Sequence, residues 1–116
     1  MIARVWSGRT DKTKLKAYLK HFSANVLPDL KRCDGFASAM VLTRDLGDET
    51  GDSEVVVNTF WRSMAAIKEF AGSDCELAVV APEAASLLRA FDKRVKHYLV
   101  DVADSSESIK MFTGRD

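Results

Sequence analysis

Six side chains of this sequence are of the types needed to hold a flat organic acid and take its proton: Arg4, Trp6, Asn58, Trp61, His97 and Tyr98. The two tryptophans offer wide apolar faces for stacking. Arg4 is a permanent cation that would steady an enolate or phenolate. His97 titrates near neutral pH, which suits a base. Asn58 and Tyr98 would orient the ligand by hydrogen bonding. The candidate catalytic residues are therefore His97, Arg4 and Trp61, with Trp6, Asn58 and Tyr98 as substrate contacts.

Each of these has a structural reading beside the chemical one. The tryptophans suit a core or an interface. A buried Arg4 would need a partner such as Asp92 or Glu54. His97 can hydrogen-bond across a subunit interface, and Tyr98, its neighbour on one strand, points to the opposite face. His21 flanks a helix stripe next to Phe22 and reads as a half-exposed surface residue.

The elements that must position these groups follow from periodicity. Ile2 to Gly8 alternates as a first strand, carrying Arg4 and Trp6. Leu15, Tyr18, Leu19, Phe22 and Val26 recur at helical spacing, with Thr10 or Asp11 as N-cap and Pro28 expected to break the run. Phe36 to Leu46 forms a second strand, and the polar, glycine-rich stretch 47–52 a hairpin loop. Glu54 to Trp61 is a third strand. Ser63 then caps a helix with Met64, Ile67, Phe70 and Ala71 on its buried side, closing at Gly72. Residues 74–80 are irregular or helical. Pro82 and Glu83 start a helix read through Ala84, Leu87, Leu88 and Phe91. Arg94 to Val102 is the last strand, and residues 103–116 are a polar tail that is loose or docked by Ile109, Met111 and Phe112.

Composition narrows the function classes. A chain of 116 residues with 47% apolar and 29% charged residues is one globular domain, residues 1–102 here, followed by the tail. Seventeen basic and 17 acidic side chains give zero net charge without a basic cluster, which argues against nucleic acid as a partner. The sequence shows no signal-peptide or membrane-span pattern, so a cytoplasmic location and no membrane partner are expected. Cys33 and Cys75 form no metal-binding spacing with His21 and His97, and no metal site is expected. Reduced thiols are the expectation for both.

The resulting order, β-α-β-β-α(-α)-β, is the ferredoxin-like α+β pattern of an antiparallel sheet with helices on one face. Strand 55–61 is nearly continuously apolar, so both sheet faces need cover. The helices suffice for one. A homodimer packed sheet to sheet, a dimeric α/β barrel, would cover the other.

Arg4, Trp6 and Gly8 on the first strand, Phe60, Trp61, Ser63, Ala66 and Ile67 followed by Phe70, Ala71 and Gly72, and Val95, His97 and Tyr98 together resemble the antibiotic biosynthesis monooxygenase domain. The resemblance covers most of residues 1–102. It implies the dimeric α/β barrel and a cavity between sheet and helices, but not one activity, since the superfamily includes cofactor-free oxygenases, haem-degrading enzymes, isomerases and proteins with no assigned reaction. Haem-degrading relatives carry an Asn on the first strand and a His on the helix after Trp61, and this chain has neither. The expectation is a monooxygenase, an oxidoreductase that needs no cofactor and acts on a small aromatic or polyketide-like compound. The alternatives are a non-catalytic dimeric module for a small apolar ligand, and a lactone isomerase or lyase.

Overall fold

The computed structural model describes residues 1–47 and 49–105. Strand β1 (Ile2–Asp11) lies between β3 (Asp52–Trp61) on one side and the short β4 (Ala90–Phe91) and β5 (Lys96–Leu99) on the other. Strand β2 (Phe36–Asp45) forms the far edge beyond β3. All pairings are antiparallel, giving a five-stranded ferredoxin-like α+β sheet. The last strand, expected over residues 94–102, is the shorter β5, and β4 falls where the sequence placed the end of a helix; residues 92–95 leave the ladder between the two.

Alternation decides what each face carries. On β3, Val55, Val57, Thr59 and Trp61 are buried while Glu54, Val56, Asn58 and Phe60 between them are half-buried. Register puts Arg4 opposite Thr59, Trp6 opposite Val57 and Gly8 opposite Val55. Arg4 and Trp6 therefore share the helix-covered face with the core cluster of Tyr18, Phe22, Leu30 and Ile67.

The first helical run is longer than Pro28 led the sequence reading to expect. Helix α1 (Lys12–His21) passes through a π-helical turn (Phe22–Val26) into α2 (Leu27–Lys31). Pro28 lacks the N–H that an uninterrupted α-helix would use, but it sits in the first turn of α2, where that donor is dispensable. Asp11 is the N-cap, accepting from the Thr13 backbone N–H at 2.8 Å.

Helix α3 (Met64–Ala71) follows the sequence signals closely. Ser63 Oγ accepts from the Ala66 N–H at 3.1 Å, and Gly72 ends the helix at φ 95°. Helix α4 (Pro82–Leu87) is shorter than the stripe implied, and Phe91 belongs to β4 opposite Gly8. At the end of the sheet, fully buried Asp52 accepts from Arg9 Nε at 3.2 Å and Arg89 Nε at 2.9 Å.

A candidate ligand cavity between sheet and helices

Four positions on the first helical run, Tyr18, Phe22, Val26 and Leu30, line one cavity. In a regular α-helix, residues four apart drift steadily round the axis. The wider π turn sets that drift back, so the four stay in line over the sheet. The sheet contributes Arg4, Trp6, Val57 and Thr59, and Phe70 of α3 and residues 79–81 complete the wall. The cavity holds about 80 Å³ and opens to solvent on one side.

Trp6 is fixed by its strand. Gly8 lies under its ring: a Cβ there would stand 2.9 Å from Trp6 Cη2, so glycine leaves the space that the indole occupies. The Trp6 Nε1–H donates to the Asp92 carbonyl at 2.9 Å. Its ring stacks on Tyr18, with centroids 6.4 Å apart and planes at 17°, and meets Phe91 at 6.2 Å.

Arg4 is 5% exposed and finds no carboxylate partner among the described residues. Neither Asp92 nor Glu54 pairs with it. Instead Nη1 donates to the Cys75 carbonyl at 2.5 Å and to His97 Nε2 at 3.0 Å, and Nη2 donates to the Leu77 carbonyl at 2.7 Å. The Phe70 ring lies 5.7 Å from the guanidinium carbon. Burial lowers the proton affinity of Arg4, offset in part by Cys75, yet a guanidinium stays charged in proteins. The irregular segment before α4 thus supplies dipoles where a counter-charge is missing.

His97 pairs with Arg4 in register and shares its face, but it stands behind Arg4 and is not part of the cavity wall. Its pKa is lowered by burial first and by the Arg4 charge second, against a smaller opposing effect of Glu76. Tyr18 is 4% exposed, and burial pushes its phenol up to about 12. Its hydroxyl makes no hydrogen bond with any described residue.

Of the six residues singled out by sequence, the structure brings Arg4, Trp6 and His97 together. Trp61 is fully buried, donates to Thr59 Oγ1 at 2.9 Å, and packs between Phe36 and Phe70 without reaching the cavity. Its place is the core because its parity matches that of Val55 and Val57. Asn58 and Tyr98 lie on the other sheet face, Tyr98 53% exposed. His21 is 9% exposed, with Nδ1 3.0 Å from Asn25 Nδ2, and is not the half-exposed residue expected. Tyr18 and Thr59 escaped the sequence reading as site residues. The signal available was a hydroxyl placed in each of two otherwise apolar stripes.

No family model matches this chain. No curated protein matches it either. Solved structures do. A Bacillus cereus protein provisionally named an antibiotic biosynthesis monooxygenase matches with TM-score 0.62 at 20% identity, over 92% of this chain and 97% of its own. The fold is that of the antibiotic biosynthesis monooxygenase structures. A Deinococcus radiodurans protein with the same provisional name gives 0.54 at 12% identity, over 93% and 100%. A Streptomyces coelicolor monooxygenase in complex with nanaomycin D gives 0.53 at 19%, over 92% of each chain. At such identities the antibiotic biosynthesis monooxygenase likeness is one of fold, and chemistry has to be argued from the cavity. Among the described residues there is no metal-binding cluster and no helix long and apolar enough to cross a membrane.

Proposed function

We propose that the protein is a cytoplasmic, homodimeric monooxygenase of the antibiotic biosynthesis type that oxidises a small aromatic compound without a metal or organic cofactor. The observation that carries this reading is the buried, carboxylate-free Arg4 on the wall of an apolar, aromatic-lined cavity. Direct reaction with oxygen needs an electron-rich anion, and an unpaired cation in low dielectric favours ionisation of a bound phenol or enol. The apolar wall limits water around that anion. Arg4 carries the charge in this reading. His97, whose Nε2 is engaged by Arg4, is a positioning residue, and the proton of the phenol or enol leaves to solvent through the open side of the cavity.

The fold of the structure bound to nanaomycin D supports a ligand in such a protein. A volume of about 80 Å³ favours a single ring, or one ring of a larger polyketide, at the open mouth. Oxygen uptake with a panel of quinols tests the reading. Wild type is expected to consume oxygen, and Arg4→Met to slow turnover by roughly 10²–10³, the usual loss on removing one oxyanion donor. A flat oxygen trace across the panel would remove the monooxygenase reading and leave a small-molecule binding module of the same fold.

A further inference from the structure

Two walls of the cavity carry polar groups whose hydrogen-bonding capacity the protein leaves unused. On the sheet side, Arg4 commits both Nη1–H bonds and one Nη2–H bond to Cys75, His97 and Leu77. Its Nε–H has no partner among the described residues. On the helix side, Tyr18 is 4% exposed, and its hydroxyl likewise has no partner among the described residues. The hydroxyl contributes no hydrogen bond to the fold, so phenylalanine would serve packing equally well at this position. Stacking on Trp6 holds the ring in one orientation.

We infer that Arg4 and Tyr18 form a two-point clamp for a flat, single-ring phenol that bears a second oxygen, the phenolate oxygen on Arg4 and the uncharged oxygen on the Tyr18 hydroxyl. The inference rests on the reading that this cavity is the substrate site. Charge and donor chemistry agree on the ligand. The guanidinium lacks a counter-charge and can only donate, and a phenol whose pKa burial pushes up to about 12 is neutral at working pH and a donor to any acceptor oxygen. Size agrees as well: an enclosed cavity of about 150 Å³ takes up benzene, so about 80 Å³ with an open side accepts one ring part-way and turns fused rings outward.

The probe is 4-nitrophenol, whose phenolate absorbs visible light and whose nitro group supplies the second oxygen, with 4-nitroanisole as the uncharged control. Titrated with wild-type protein at a fixed pH near its own pKa, 4-nitrophenol should gain phenolate absorbance as the bound pKa falls. Tyr18→Phe should weaken both probes about ten-fold while leaving the unfolding midpoint unchanged or higher. Arg4→Met should weaken 4-nitrophenol alone and abolish the absorbance gain. Arg4→Lys keeps the charge, should retain part of the gain, and serves if Arg4→Met does not fold. No absorbance gain with wild type, unchanged affinity in Tyr18→Phe, or a lowered midpoint in that variant would each overturn the clamp. Probe binding with this signature in a protein that consumes no oxygen keeps the clamp and removes the monooxygenase. Oxygen consumption indifferent to Tyr18→Phe does the reverse.

Discussion

A guanidinium can only donate hydrogen bonds, and that decides the state of the histidine beside it. His97 Nε2 lies 3.0 Å from Arg4 Nη1, so it must accept, and the imidazole is neutral with its proton on Nδ1. Protonation would set two cations against each other and remove the acceptor that locates Arg4. The consequence for stability has a definite sign. The folded pKa lies below the ordinary 6.5, so the unfolded chain takes up the proton first and stability is lost as pH falls below about 6.5. Wild type is expected to show a lower unfolding midpoint at about pH 5 than at about pH 8, with a smaller pH dependence in His97→Gln, whose amide oxygen still accepts from Arg4. His97→Leu should lose probe binding at both pH values, and His97→Gln should restore it. Scanning calorimetry and the nitrophenol titration check both. The sequence announced Arg4 and His97 as a pair of interest, because a charged and a titratable residue on apolar strands need a reason. It did not announce that they touch, since contact depends on the register of strands 93 positions apart in the chain.

At the scale of elements, local signals were legible where the chain obeys local rules. Ser63 and Gly72 bracket α3 because a cap oxygen and a positive φ act within one turn. The parity that divides β3 into two faces was not readable, because the strand is apolar on both and nothing local says which face the helices cover, so the sequence groups Asn58 with Trp61 although they lie on opposite faces. Two elements escaped for physical reasons. Ala84, Leu87, Leu88 and Phe91 fit a helix, but Leu88 turns extended at φ −104° and ψ 139°, and the Arg89 N–H bonds to the Arg9 carbonyl at 2.8 Å. Pairing with β1 outweighs the propensity to continue the helix. The π turn likewise has no simple sequence mark, and it let a helix persist past Pro28 and line up four cavity residues. The joint between β2 and α3 offers a test. Gly35 has φ 82°, and a Cβ there would lie 2.5 Å from Ala66 Cβ. Gly35→Ala should destabilise by roughly 3 kcal/mol, combining left-handed strain with overpacking. Adding Ala66→Gly relieves only the contact, so the double variant should recover part of the loss despite the roughly 1 kcal/mol a helical glycine costs. Urea unfolding of the three variants measures the coupling.

At the scale of the molecule, the described residues present a second apolar sheet surface that the described helices leave uncovered. Val5, Met40, Leu42, Val56, Phe60 and Tyr98 share the face opposite the core, with Leu42 46% and Tyr98 53% exposed. Asn58 lies among them, and its Oδ1 is enclosed without a partner among the described residues. A contiguous apolar face of this kind is what a subunit interface presents. A twin subunit placed across a two-fold axis would cover it with itself and bring a donor toward Asn58. Stable pairing takes about 800 Å² from each partner, which a five-stranded sheet can provide. Sedimentation velocity at micromolar concentration should therefore give twice the 12.8 kDa of one chain. Val56→Lys, placing a cation at the centre of this face opposite Ser7 and Leu42, should yield a single subunit with an unchanged circular dichroism spectrum. The cavity is built within one chain on the other side of the sheet, so that single subunit should still bind 4-nitrophenol. A wild-type protein that sediments as one subunit would rule out the sheet-to-sheet pair. It would leave the Arg4 cavity intact, because Arg4, Trp6, Tyr18 and Thr59 of its wall all come from one chain.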